Sequence, residues 1–204
     1  MIKRKPPRCA NSRGHDRDKM GTAMPRTLIN IDDLRKLIRA DFATGKLFWL
    51  ERPRHFFKDD ASFKKWNSRH AGKEAFTSSN GFGYAQGSIL NQKYSGHHVV
   101  WALHYGKWPT HQIDHINGIR HDNRIENLRD VPQSQNVKNS CLSSRNTSGI
   151  CGVRWDKERR KWFAYGKSGG PVKNLGRYDC VGLAIKARLG FQKEHNFSPR
   201  HGAT

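Results

Sequence analysis

Residues 111–138 read HQIDHINGIRHDNRIENLRDVPQSQNVK, and this stretch has the most informative polar pattern of the chain. A carboxylate and an imidazole, Asp114 and His115, are adjacent, and Asn127 and Asn136 follow at intervals. Apolar residues alternate with these polar positions and would form a small core between them. An Asp-His pair in a polar loop is ordinarily solvated, and Asn-Gly is ordinarily just a turn. The joint spacing of polar and apolar positions favours a functional site.

These residue types suit the hydrolysis of phosphodiester bonds. His115 has an ordinary pKa of about 6.5, so it can take a proton from water at neutral pH. Asp114 offers an anionic oxygen and Asn136 a carbonyl oxygen, which are ligands that Mg²⁺ prefers. Because adjacent strand residues point to opposite faces, Asp114 and His115 share one site only if the strand ends or bends there. The turn signal Asn117-Gly118 follows at once.

Residues 111–138 resemble the HNH endonuclease motif, in the Asn-ending version of phage and intron-encoded homing endonucleases. The resemblance implies a ββα-metal unit, also called a His-Me finger, that grips one divalent cation. It implies that His115 is the general base and that Asn127 bonds backbone to hold the base-bearing loop in shape. It also implies that Asp114 and Asn136 are the metal ligands. An asparagine at the last position favours magnesium, or manganese, over zinc.

Composition agrees with a nucleic-acid partner. The 204 residues include 38 Lys and Arg against 17 Asp and Glu, a formal net charge of +21. Such an excess is better explained by phosphate groups than by solubility. An anionic membrane is the alternative, but no apolar run approaches the roughly 18 residues of a spanning helix. We expect a monomer that binds double-stranded DNA, with no obligate protein partner and no membrane. An RNA-binding or RNase role lacks an RNP-like aromatic signature.

Cysteine usage indicates a reducing compartment. The four cysteines at positions 9, 141, 151 and 180 contain no C-x-x-C pair, so neither a zinc ribbon nor a compact disulfide scaffold is indicated. No apolar segment of a secretory signal follows the basic start. We therefore expect the chain in a cytoplasm, that of the host cell if it is phage-encoded.

The chain before the motif is expected to support it. Residues 1–26 hold eight Lys or Arg and almost no large apolar side chain, which predicts a disordered tail. That tail either grazes the phosphate backbone or is a solvated or vector-derived extension. The nuclease domain is predicted over 27–140. Its elements are a helix over 30–41, a strand over 46–50, a hairpin over 83–96 and a helix over 97–105 whose histidines belong to core or surface.

Aromatic and basic residues interleave between positions 52 and 73. Such interleaving can bind nucleic acid, but aromatics under a long connection more often form a satellite core. We assign the aromatics to a satellite core. The residues concerned are Phe56, Phe57, Phe63 and Trp66, with Lys58, Lys64, Lys65 and Arg69 between them.

Residues 149–197 read strand, strand, strand, helix, after a predicted linker over 141–148 and before a tail over 198–204. The stretch resembles the plant ethylene-response-factor (APETALA-type) DNA-binding domain. Matching positions are Gly152-Val153-Arg154, Trp162, Ala164, Leu175-Gly176, Tyr178, Ala184 and Ala187.

Period-two alternation in this stretch predicts one exposed face of the sheet. Trp162 and Ala164 would face the helix, and the opposite face could enter a major groove and read guanine edges. The alternative is a solvated face that touches only phosphates. The candidate DNA-binding residues on it are Arg154, Lys161, Phe163, Tyr165, Lys167, Lys173 and Arg177.

The sequence thus predicts a two-part protein of the α+β class. A ββα-metal nuclease core, preceded by a helix and hairpin subdomain, would cut duplex DNA, and a small three-stranded sheet with a helix would position it. The alternative is a DNA-binding regulator that keeps the fold without catalysis.

Overall fold

The computed structural model describes residues 27–140, 142–143 and 146–202. Helices and small antiparallel sheets alternate along this part of the chain, which confirms the α+β class. The basic tail predicted over residues 1–26 lies outside the described residues. In the ranges that are described, no helix combines the length and apolar character needed to cross a membrane.

The described chain divides into two compact units, residues 27–131 and 132–202. The division falls inside the motif, upstream of the linker predicted over 141–148. The predicted domain bounds therefore stay a prediction, and each unit is described by itself.

The first unit begins with a helix that turns directly into a strand. Helix α1, Ile31–Leu37, starts at Asn30, whose side chain accepts a hydrogen bond from the backbone N–H of Asp32. The next residues form strand β1, Ile38–Asp41, paired with strand β2, Lys46–Trp49. The helix predicted over 30–41 is therefore wrong in its last turn, because pairing with β2 overrides the helical spacing.

Strand β2 lies at the centre of a three-stranded antiparallel sheet of order β1-β2-β3. Helix α2, Asp60–His70, connects it to the short strand β3, Glu74–Ala75. Asp59 caps α2 by accepting a hydrogen bond from the backbone N–H of Ser62 at 2.7 Å. The long connection between β2 and β3 is thus largely helical.

A second small sheet contains the predicted hairpin. Strands β4, Ser78–Ser79, β5, Ala85–Ile89, and β6, Gln92–Ser95, pair antiparallel in that order. Leu90 and Asn91 have positive φ angles of 48° and 63°, the conformation of a tight two-residue hairpin turn. The prediction of a hairpin here is confirmed.

Helix α3, Gly96–Tyr105, lies at the centre of the first unit and confirms the predicted helix. It ends at Gly106, whose φ of 68° provides the left-handed C-terminal turn. His97 and His98 are buried and His104 is exposed. The buried apolar core around α3 consists of Leu34, Leu37, Ile38, Leu47, Ala75, Phe76, Ile89, Tyr94, Val99, Val100, Ala102, Ile113 and Leu128.

The motif begins as a two-stranded ribbon. Strand β7, Gln112–His115, pairs antiparallel with strand β8, Leu128–Val131. In the second unit, the short helix α4, Gln133–Asn136, follows and continues into a 3₁₀ turn, Val137–Asn139.

The second unit contains a three-stranded antiparallel sheet and a helix. Strands β9, Val153–Asp156, β10, Lys161–Gly166, and β11, Lys173–Tyr178, have the order β11-β10-β9. Helix α5, Val181–Glu194, packs on the sheet. The buried centre of this packing is Val153, Ala164 and Ala184.

Candidate active site

The β7–β8 ribbon positions Asp114 and His115. In the register of the two strands, Asp114 is opposite Arg129 and His115 is opposite Leu128. Both residues are buried, with 7% of Asp114 and 4% of His115 exposed. Strand β7 ends at His115, where the N–H of Gly118 donates to the His115 carbonyl at 2.8 Å. The strand therefore ends at His115, which is the condition for Asp114 and His115 to share one site.

The loop after β7 is held by the Asn127 side chain. Its oxygen accepts from the backbone N–H of Asn117 at 2.9 Å, and its amide nitrogen donates to the backbone carbonyl of Asp122 at 2.8 Å. The same nitrogen donates to the Asn117 side-chain oxygen at 3.0 Å. These are bonds of the kind that the resemblance implies for the central asparagine, and they fix the loop next to His115.

A second asparagine contacts the imidazole itself. Nε2 of His115 lies 3.0 Å from Oδ1 of Asn123, and Asn123 is only 4% exposed. An amide oxygen accepts and does not donate, so Nε2 carries the hydrogen. In neutral His115 the basic lone pair is therefore on Nδ1. Asn123 thus selects which nitrogen can act as a base.

Aromatic rings pack around His115. The ring of His97 meets it edge-on with centroids 5.2 Å apart, and the Tyr84 ring lies 5.8 Å away. His97 is fully buried, and neither of its ring nitrogens has a hydrogen-bond partner among the described residues. The burial of His115 itself lowers its pKa, and the hydrogen bond to Asn123 and the charge of Asp114 oppose this effect. His115 is therefore neutral at neutral pH, as a general base requires.

The Asp114 carboxylate is paired with Arg129. Nε and Nη2 of Arg129 donate to Oδ2 of Asp114 at 2.9 and 2.6 Å. The Asp114 side chain is 9% exposed, so the guanidinium balances a buried charge. Asp114 and His115 thus have different side-chain partners among the described contacts. The negative charge of Asp114 nevertheless acts on His115, where it partly opposes the lowering of the pKa by burial.

The predicted ligands have the chemistry that suits a hard cation. Asp114 supplies a carboxylate and Asn136 an amide oxygen, a donor set that fits Mg²⁺ or Mn²⁺ better than zinc. Asn136 is the last residue of α4, in the second unit. Across the described ranges, no group of three or more His, Cys, Asp or Glu is placed to hold a metal ion. The part of Asn136 in ion binding stays a prediction.

Two residues of the site were not assigned a role from the sequence. Asn123 lies four residues before Asn127, and in sequence it reads as an ordinary turn residue. Arg129 reads as one of many basic residues. The pairing of the two strands could have identified Arg129, because a basic residue directly opposite an aspartate in a ribbon is well placed to pair with it.

In the second unit, two arginines enclose an aromatic ring on the outer face of the sheet. Phe163 on β10 is opposite Arg154 on β9 and Arg177 on β11. Their guanidinium carbons lie 5.5 and 4.6 Å from the Phe163 ring centroid. Tyr165 stacks on the same ring with centroids 5.6 Å apart. The structure thus brings four of the seven candidate DNA-binding residues together.

Two of the basic candidates have acidic partners. Nε of Arg177 donates to Asp156 at 3.0 Å, and this bond lowers the pKa of Asp156. Nζ of Lys161 lies 3.2 Å from Asp179. Part of the positive charge on this side of the sheet is therefore balanced within the chain.

The placement predicted for Lys173 is wrong. The register shifts between Ala164 and Tyr165, so that Tyr165 is opposite Asn174 and Gly166 is opposite Lys173. A β-carbon added at Gly166 would clash with the Phe191 ring, so this position faces α5. Since directly opposed residues share a face, Lys173 is off the face of Arg154 and Arg177. Lys167 follows the end of β10 and is exposed.

Comparison with known proteins defines the class of the motif. Residues 94–138 match the family model described as HNH endonuclease. The chain therefore contains an HNH endonuclease domain, which covers less than half of its length. It is also similar to Protein 3.8 of Escherichia phage T7, with 37% identity over 67 residues that cover 32% of this chain and 55% of that protein. The chain spans about half the length of this curated relative. No solved structure matches the chain.

Proposed function

We propose that the chain is a metal-dependent endonuclease that hydrolyses phosphodiester bonds in duplex DNA, of the homing-endonuclease type and acting as a monomer. The observation that carries this proposal is His115, a buried neutral imidazole whose Nε2–H is engaged by Asn123. An imidazole in this state can accept a proton at neutral pH. It is adjacent in sequence to a buried carboxylate, as metal-assisted phosphodiester hydrolysis requires.

In the proposed mechanism, each residue has one task. Nδ1 of His115 takes a proton from the attacking water, while Asn123 holds the ring. Asn127 keeps the loop rigid, so that the base stays in place during the reaction. Asp114 and Asn136 would hold one divalent cation, with Mg²⁺ favoured and Mn²⁺ as the alternative. When bound, the cation stabilises negative charge on the phosphate and the leaving oxygen.

Arg129 has a positioning role in this mechanism. Both of its hydrogen bonds go to Oδ2 of Asp114, so the guanidinium orients the carboxylate.

A cleavage assay tests the nuclease proposal. The wild-type chain should nick supercoiled plasmid with Mg²⁺ or Mn²⁺, and His115→Ala should bind the plasmid and leave it intact. His55→Ala is the matched control, because His55 is an exposed histidine of the same unit outside the motif. If wild-type and His115→Ala cut equally, the base is misassigned. If both bind and neither cuts, the chain is the DNA-binding regulator that the sequence leaves as the alternative.

We propose further that the second unit binds duplex DNA through the outer face of its sheet, like the ethylene-response-factor domain that it resembles. The cluster of Arg154, Phe163 and Arg177 supports this, because the ring holds the guanidinium groups in defined positions. Arg154→Ala should weaken duplex binding by the full chain. Arg159→Ala is the control, since Arg159 is exposed in the same unit and pairs with Asp156. Equal losses from the two variants would contradict the assignment of this face.

A further inference from the structure

Helix α2 separates the interleaved residues of positions 52–73 into two sides. Trp66 packs edge-on against Trp49 of β2 with ring centroids 5.6 Å apart. Phe63 packs against Phe57 in the same manner, with centroids 5.8 Å apart. These aromatic side chains are partly buried, as expected of a satellite core. These rings therefore pack on the inner side of the helix.

Arg52 fixes α2 to the end of β2. Its guanidinium carbon lies 3.8 Å from the Trp66 ring centroid, and the residue is 9% exposed. The Asn67 side chain accepts from the backbone N–H of Arg52 at 3.0 Å and donates to its carbonyl at 3.1 Å. These contacts attach the helix to the β1-β2-β3 sheet at two successive positions, so α2 is held in one orientation.

The sheet that carries α2 also contacts the motif loop. The N–H of Ile125 donates to the carbonyl of Phe42, in the β1–β2 turn, at 3.1 Å. Gly45, in the same turn, approaches the backbone of Asn123 so closely that a β-carbon would clash with it. Helix α2 and the candidate active site therefore belong to one packed unit.

A group of exposed cations lies on and just after α2, and we call it the α2 basic face. Its members are Lys64, Lys65 and Arg69 on the helix and Lys73 three residues beyond its end. None of the four has a carboxylate within ion-pair distance in the part of the chain that the structure describes. Lys65 and Arg69 are four residues apart, which places them about one turn apart along the helix. These charges are therefore close together in sequence and lack an acidic partner among the described residues.

Three other basic residues of the same unit have acidic partners. Arg35 pairs with Asp32, Lys36 with Asp33 and Lys46 with Glu74. The field at the α2 basic face also reaches His70, whose pKa is lowered first by burial and then by the charges of Arg69, Arg52 and Lys73. A fixed cluster of like charges is unfavourable in isolation and is relieved by a polyanion.

We infer that the α2 basic face binds the phosphate backbone of duplex DNA, outside the bond that is cleaved. The inference rests on the proposed function and adds a second contact surface within the catalytic unit. Because the aromatic rings of α2 pack inward, the face has cations and no stacking platform. It is therefore suited to sequence-independent backbone contact, and single-stranded nucleic acid, which needs stacking platforms, fits it less well.

Salt dependence of binding tests the inference. The full chain is titrated with a duplex oligonucleotide in EDTA, so that it is not cut, between about 50 and 200 mM salt. The triple variant Lys64→Gln, Lys65→Gln, Arg69→Gln removes three cations from the face. If each contacts one phosphate, the slope of log K against log salt should fall in magnitude by roughly 2.7. Circular dichroism checks that the variant is folded.

The matched control is the triple variant Arg35→Gln, Lys36→Gln, Lys46→Gln, which removes the same charge from ion-paired positions of the same unit. Its slope should stay close to that of the wild type. An unchanged slope for the α2 variant, or an equal change for both variants, overturns the inference. The inference is also overturned if the α2 variant binds single-stranded RNA more weakly than the wild type while its binding of duplex DNA is unaffected. Cleavage that depends on His115 would survive any of these results, so the proposed function is judged separately.

Discussion

Oδ1 of Asn123 lies 3.0 Å from Nε2 of His115, and both residues are buried. This contact determines the tautomer of the imidazole, because the amide oxygen can only accept. It also restricts rotation of the ring, which packs against the aromatic rings of His97 and Tyr84. The geometry of the proposed base is therefore set by a residue outside the positions that give the motif its name.

Replacing Asn123 should change the tautomer of His115. In Asn123→Ala the Nε2–H loses its acceptor, so NMR of the imidazole nitrogens should show a mixture of tautomers or the opposite one. Cleavage should fall, but by less than the roughly 10²–10⁴-fold loss expected for His115→Ala. Asn123→Asp keeps an oxygen acceptor and should keep the wild-type tautomer. An unchanged NMR pattern in Asn123→Ala would show that other contacts set the tautomer.

The rate of cleavage should depend on pH through His115. Burial lowers the pKa of His115 below its ordinary value of 6.5, so the base stays unprotonated at pH 6.5 and is lost as the pH falls further. The Asn123→Asp carboxylate would favour the charged imidazole and raise this pKa. The acidic limb of the single-turnover pH profile should then move to higher pH. A shift to lower pH, or none, would show that another group governs this limb.

Loss of Arg129 should destabilise the fold through Asp114. Arg129→Ala leaves a buried carboxylate without its two charged hydrogen bonds, and the free energy of unfolding should fall by about 1–3 kcal/mol. Lys46→Ala, which breaks the exposed pair with Glu74, should cost less than about 1 kcal/mol. Urea denaturation measures both. Equal costs for the two variants would mean that the Asp114 charge is compensated by other groups.

The close contact between Gly45 and the motif loop should be visible in stability. Gly45 and Gly72 have nearly the same φ, 73° and 76°, but only at Gly45 would a β-carbon clash with a neighbour, the Asn123 backbone. Gly72→Ala should therefore cost about 1 kcal/mol from backbone strain alone. Gly45→Ala should cost roughly a further 1–3 kcal/mol. Thermal unfolding of both proteins compares them, and equal costs would contradict the contact.

Much of the secondary structure follows from local sequence. The hairpin, helix α3 and the three strands and helix of the second unit agree with alternation, helical spacing and turn signals. The end of α1 does not, because Leu34, Leu37 and Ile38 fit a helix as well as a strand that is buried on one face. The position of Lys173 does not either, because a bulge reverses the alternation that locates it.

The amino-acid sequence contains the features from which the proposed chemistry is argued: the adjacent Asp114 and His115, the spacing of the asparagines and the excess of positive charge. Which groups surround Asp114 and His115 depends on the tertiary structure. Asn123 and Arg129 contact the pair only after the ribbon and loop have folded, and the orientation of the α2 cations follows from the packing of Trp66 on Trp49 of the sheet. The reason is physical: residue type and spacing along a chain fix local preferences, whereas contacts between distant segments depend on how these segments pack.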